Sequence, residues 1–145
     1  MDYTALLERK FPTDPRLDFY LHSGAPSSKL GKALSAYRNI QPRDIVAFHL
    51  YGGMFSSGAI VFTPTHMYYP AGRVALEDLQ SVQRSGKELH LAANQAGNSV
   101  RFSIKADDEE AAHLLADVLE AVIYEPKAEA AMDAVERAYD AYDPA

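Results

Sequence analysis

Cysteine is missing from all 145 residues, and tryptophan with it. The first absence removes disulfides, thiolate metal ligands and a cysteine nucleophile, and it fits a reducing cytoplasm, the expected location. Glycine and proline are scarce, 8 of each, which excludes collagenous and low-complexity chains. No apolar run approaches the roughly 18 residues of a membrane-spanning helix. Met1 to Lys10 carries Asp2 and Glu8 and no long apolar stretch, so no signal peptide is expected. Lysine and arginine are also absent from the whole stretch between Asp44 and Gly72.

What is present is an ordinary globular composition, 48% hydrophobic and 23% charged. A chain of this length suits one domain that buries roughly 68–70% of its unfolded surface. The net charge of −6 is unevenly spread. Residues 1–44 hold seven Lys/Arg against five Asp/Glu, and residues 45–106 hold five against three. Residues 107–145 hold two against twelve, so a mildly basic body carries an acidic end of net −10. That end opposes attraction to nucleic acid and to anionic lipid, and it suits a cationic partner.

The apolar pattern changes period twice. In residues 1–43 it is helical and interrupted: Tyr3, Leu6, Leu7 and Phe11 share one face before Pro12. Leu17, Phe19, Tyr20 and Leu21 are too densely apolar to show a single face. A loop at Ser23 to Ser28 leads to a helix expected over Lys29 to Arg38. From residue 44 the period falls to 2. Strands are expected at Ile45 to Tyr51, Ala59 to Thr63, Met67 to Tyr69, Arg73 to Leu76, Leu79 to Arg84 and around Leu89 to Leu91. The clearest is the last, where Val100, Phe102 and Ile104 alternate with Ser99, Arg101, Ser103 and Lys105. Asp107 or Asp108 then caps a helix whose stripe is Ala111, Leu114, Leu115, Val118, Leu119, Val122 and Ile123. Pro126 is expected to break it and start a second helix with a thin stripe, Ala128, Ala131, Met132, Val135, Ala138 and Tyr139.

The fold class is therefore α+β. Six or seven short antiparallel strands closed by one amphipathic helix resembles the pleckstrin-homology-like fold, in particular small bacterial PH-like and GRAM-type domains. The residues that carry the likeness are Ile45 to Gly53, Ser57 to Thr63, Tyr68-Tyr69, Val74 to Val82 and the helix Asp107 to Ile123. The resemblance implies a partly open barrel over residues 44–124, with helical extensions at 1–43 and an acidic one at 125–145. It also implies a binding scaffold for a lipid headgroup, a peptide or a protein. Lipid-binding members need convergent cations in the first hairpin. Here that loop is Tyr51-Gly52-Gly53-Met54-Phe55-Ser56-Ser57-Gly58, without a base.

No motif of catalysis is found. His22, His49, His66, His90 and His113 form no i, i+3 or i, i+4 pair, so neither a metal nor another cofactor is expected. Gly24 to Lys32 fails as a phosphate loop, with Ala33 where the hydroxyl should stand. Ser56 and Ser57 lack the glycine of a nucleophile elbow. The expectation is a non-catalytic module that binds a protein through Tyr51, Met54, Phe55, Tyr68 and Tyr69, since apolar and tyrosine-rich tips suit interfaces. The acidic end favours a cationic partner, as in an immunity-type neutraliser of a basic bacterial toxin. A peripheral membrane module is the remaining alternative.

Overall fold

The periodicity at the N-terminus produces α1, Thr4–Lys10, with Tyr3, Leu7 and Phe11 all buried. The computed structural model describes residues 1–52 and 57–140. The Tyr3 amide donates to the Pro64 carbonyl at 2.8 Å, which fixes α1 against the body. The dense apolar run that follows is a strand, β1, Phe19–Leu21, entered through Asp18 in the left-handed region at φ 56°. Its alternation is hidden because both faces are covered: Phe19 and Tyr20 belong to different apolar clusters. The helix expected over Lys29 to Arg38 runs earlier, as α2, Ser27–Ser35.

Four strands then meander: β2, Ala47–Gly52; β3, Ser57–Phe62; β4, His66–Tyr69; and β5, Gly72–Ala75. With β1 they form one antiparallel sheet in the order β1-β2-β3-β4-β5. A second sheet holds β6, Leu79–Ser85; β7, Glu88–Gln95; and β8, Asn98–Lys105. The β7–β8 turn is Ala96-Gly97 with φ of 51° and 85°, the mirror-image geometry that matches strand twist. Eight strands thus replace the expected six or seven, the extra one coming from the N-terminal region. They lie in sheets of five and three, and no closed barrel forms among the described residues.

Two apolar layers result. The inner face of the first sheet (Phe19, Ala47, Ile60, Phe62, Met67) meets Leu79, Leu89, Leu91 and Ile104 of the second. α1 and the C-terminal helix complete this core. The outer face (Tyr20, Phe48, Leu50, Ala59, Val61) packs under Ala33, Leu30 and Leu34 of α2 and under Tyr37 just after it. The Tyr37 hydroxyl donates to the Ala59 carbonyl, and burial pushes its pKa well above the ordinary value. One expectation fails at the rim: Ile104 is buried, yet Val100 is 37% exposed. β8 is an edge strand, and the covering helix packs mainly on β6.

That helix, α3, is Glu109–Asp140, with Pro126 inside it. Asp108 caps it by accepting from the Ala111 amide at 2.8 Å, and Glu109 and Glu110 face the positive end of its dipole. The expected break at Pro126 does not occur. The proline removes the donor to the Val122 carbonyl, one turn earlier, but good helix formers on either side carry the coil through. Glu125, at the same level, is gripped by Arg9 at 2.8 Å and Lys10 at 3.3 Å. Burial raises the Glu125 pKa, but the hydrogen bonds and charges of Lys10 and Arg9 outweigh it, leaving the carboxyl below its ordinary value. Before this point the stripe Ala111, Leu115, Val118, Leu119, Val122 and Ile123 is buried. Beyond it, every residue from Lys127 to Ala138 is exposed. No helix among the described residues is long and apolar enough to cross a membrane.

The two halves of α3 should answer differently to truncation in urea unfolding. Leu119→Ala is expected to cost about 2–5 kcal/mol by opening a cavity. Met132→Ala, at a position 65% exposed, should change stability by no more than about 0.5 kcal/mol. Equal losses would mean that the outer half packs on the body.

Candidate functional site

β1 stops pairing with β2 at the Phe19–His49 register, so the last residues of β2 have no neighbouring strand on that side. The Leu50 amide donates to the Asp18 carbonyl at 3.0 Å, and the Gly52 amide donates to the Asp107 carboxylate at 2.8 Å. Asp107 is free to do this because its neighbour Asp108 caps α3. A side chain from the helix entrance thereby finishes the edge of the first sheet.

Around this edge lies a cleft of about 520 Å³, lined by Asp18, Lys29 and Lys32 on one side and Leu50, Tyr51, Gly52, Gly58 and Asp107 on the other. Lys29 sits 3.1 Å from the Asp18 carboxylate, which also accepts from the Tyr20 hydroxyl at 2.9 Å. The hydroxyl end of the Tyr51 ring lies over its strand partner Gly58, where a Cβ would come within 2.6 Å of the ring carbon that bears the hydroxyl. Burial raises the Tyr51 pKa, and the charge of Asp107 adds to it. The cleft thus offers paired opposite charges and a phenol, a mixed polar surface.

His49 stands just behind, 2% exposed. Its ring stacks on Phe19 at 4.1 Å and 21°, and Nδ1 is 3.3 Å from the Asp18 carbonyl. With that carbonyl as acceptor, Nδ1 carries the proton and Nε2 presents a lone pair. Among the described residues Nε2 meets no hydrogen-bond partner. Burial lowers the His49 pKa, and the Asp18 carbonyl and the Asp107 and Asp18 carboxylates offset this only in part. The imidazole is therefore neutral at pH 7. It does not line the cleft.

The five residues expected to form one docking surface are not brought together. Met54 and Phe55 lie outside the described residues. Tyr51 is half-buried in the cleft, on the inner side of the first sheet. Tyr68 lies on the outer side, half-buried, with its ring 5.6 Å from that of Tyr37, just beyond α2. Tyr69 is a core residue, 8% exposed and stacked on Phe102 at 4.7 Å. Adjacent strand positions must face opposite ways. What the sequence conceals is that both sides at Tyr68-Tyr69 are covered. His49 and His66 are separated by β3, and His66 Nδ1 is 2.7 Å from the Thr65 hydroxyl. Among the described residues no three His, Asp or Glu side chains converge on a point that could hold a metal.

Asp18 was not marked by any sequence motif, and Lys29 and Lys32 fell only within the rejected phosphate loop Gly24 to Lys32. Only the Asp107-Asp108 pair carries a signal, since a single helix start needs one capping carboxylate. Comparison with known proteins gives no match to a family model, a curated protein or a solved structure.

His49→Phe tests whether the imidazole is structural. It keeps the stack on Phe19 and removes the unpaired Nε2, so it should be neutral or stabilising by about 1 kcal/mol at pH 7. A His pKa lowered by folding gives stability that is whole above the ordinary value of 6.5 and declines as pH falls from there towards the folded value. The native chain should therefore lose stability below pH 6.5 relative to the variant in chemical denaturation. Parallel curves between pH 7.5 and 5, on the order of that titration range, would show that His49 is not held neutral.

Proposed function

We propose that this chain is a cytoplasmic PH-like binding module that engages a protein partner and does no chemistry itself. The observation that carries the reading is the element order. Four consecutive antiparallel strands, β2 to β5, are followed by the three-stranded β6–β8 sheet and then by a helix packed on that sheet. That order is what the resemblance over residues 44–124 implies. α2 and β1 are additions that cover the outer face and one edge, and α1 is an addition to the inner core.

The ionisable groups support binding over catalysis. Asp18 and Lys29 satisfy each other, Asp107 is held by a backbone amide, and the neutral His49 is sealed from the cleft. General acid–base catalysis needs an acid or base within hydrogen-bond reach of a substrate. A phosphoinositide site is not supported, because no lysine or arginine lies between Asp44 and Gly72.

A second reading, an immunity-type neutraliser of a basic toxin, is favoured by the net −10 of residues 107–145. Charge of opposite sign speeds association with a cationic protein.

Three assays on the full chain decide among these readings. Affinity capture from the native cell should retain one protein in stoichiometric amount, and vesicles of anionic lipid at low salt should not sediment the chain. A hydrolase screen should show no turnover. Turnover lost in His49→Phe would overturn the non-catalytic reading, and sedimentation reversed by salt would replace the protein partner with a membrane.

A further inference from the structure

The outer half of α3 has the form of a ligand for someone else's groove. From Lys127 to Ala138 no residue touches the body closely enough to be even half-buried, and Met132 and Val135 are 65% and 67% exposed. Large apolar side chains left this bare on an ordered helix have no role in the fold of this chain. At 100° per residue, Tyr124, Ala128, Ala131, Met132, Val135 and Ala138 fall in one band about 120° wide. Glu129, Asp133 and Glu136 fall in the adjoining band, about 60° wide, with no base among them. The opposite flank of the stripe carries Lys127 and alanines. The helix is thus apolar on one face and acidic along one border only.

We propose that this half of α3 docks into an apolar groove of a different protein, one whose wall on a single side is lined with lysine or arginine. The inference rests on the binding-module reading and supplies its surface and the chemistry of its partner. A second copy of the chain is a poor occupant. Antiparallel pairing about a twofold axis sets like flanks against each other, and here that means carboxylates against carboxylates. The area is also short: about 18 Å of helix presenting one narrow stripe falls well below the ~800 Å² per partner of a stable dimer. A groove that wraps the helix uses the stripe and its acidic border together. An anionic membrane would be repelled by that border.

The test uses the whole chain with a photo-crosslinking amino acid at Val135 and, separately, at Ser35, which also lines the cleft, irradiated in the producing cell. The protein trapped from Val135 is identified by mass spectrometry, purified, and titrated with two variants, Met132→Glu/Val135→Glu and Glu129→Lys/Asp133→Lys/Glu136→Lys. All five positions are exposed, so both variants should keep the native melting temperature. Each should weaken binding about tenfold or more, and native binding should weaken with salt. A crosslink to another copy of the chain overturns the proposal, as does affinity unchanged by charge reversal. A protein trapped only from Ser35 overturns the helix and leaves the binding-module reading standing. No protein trapped from either position overturns both.

Discussion

The central strands β2 and β3 are apolar on both faces, and water must be kept from both. Phe48, Leu50, Ala59 and Val61 point one way, and Ala47, Ile60 and Phe62 the other, all of them buried. A two-stranded ribbon cannot satisfy this by itself, so it needs a layer above and a layer below. α2 supplies one layer. The second sheet, α1 and the inner half of α3 supply the other. Each of the remaining elements can be understood as cover for one part of this double-faced sheet.

This constraint explains which parts of the fold were legible in the sequence. Segments with one wet face keep their period: α1, β6 to β8 and the inner half of α3 are visible as alternation or as a helical stripe. Segments with two dry faces lose it. β1 is the clearest case, three residues in which Phe19 and Tyr20 serve different cores and no polar position marks the alternation. Pro126 misled for a different reason. Proline is a local signal, and the cost of one missing hydrogen bond is set against the helix propensity of the residues around it and the grip of Arg9 and Lys10 on Glu125.

The cleft was less legible than the fold because its residues come from four separate places in the chain. Asp18 ends a short turn, Lys29 lies on α2, Tyr51 on β2, and Asp107 stands before α3. They meet only because β1 is shorter than β2. Hydrophobic order predicts strands well, but it does not predict where one strand stops beside another, and sites at strand ends depend on that offset. The tyrosines illustrate the same limit. Tyrosine-rich tips suggested a surface, yet Tyr3, Tyr20 and Tyr69 are buried, so much of the aromatic content serves packing.

α3 joins two regimes of tolerance to substitution in one continuous helix. Upstream of Glu125, nearly any change of an inward side chain disturbs a core shared by two sheets. Downstream, a substitution alters only what the solvent side offers, and such changes are close to neutral for stability. The outer segment can therefore accept substitutions at little cost to stability while the scaffold stays constant.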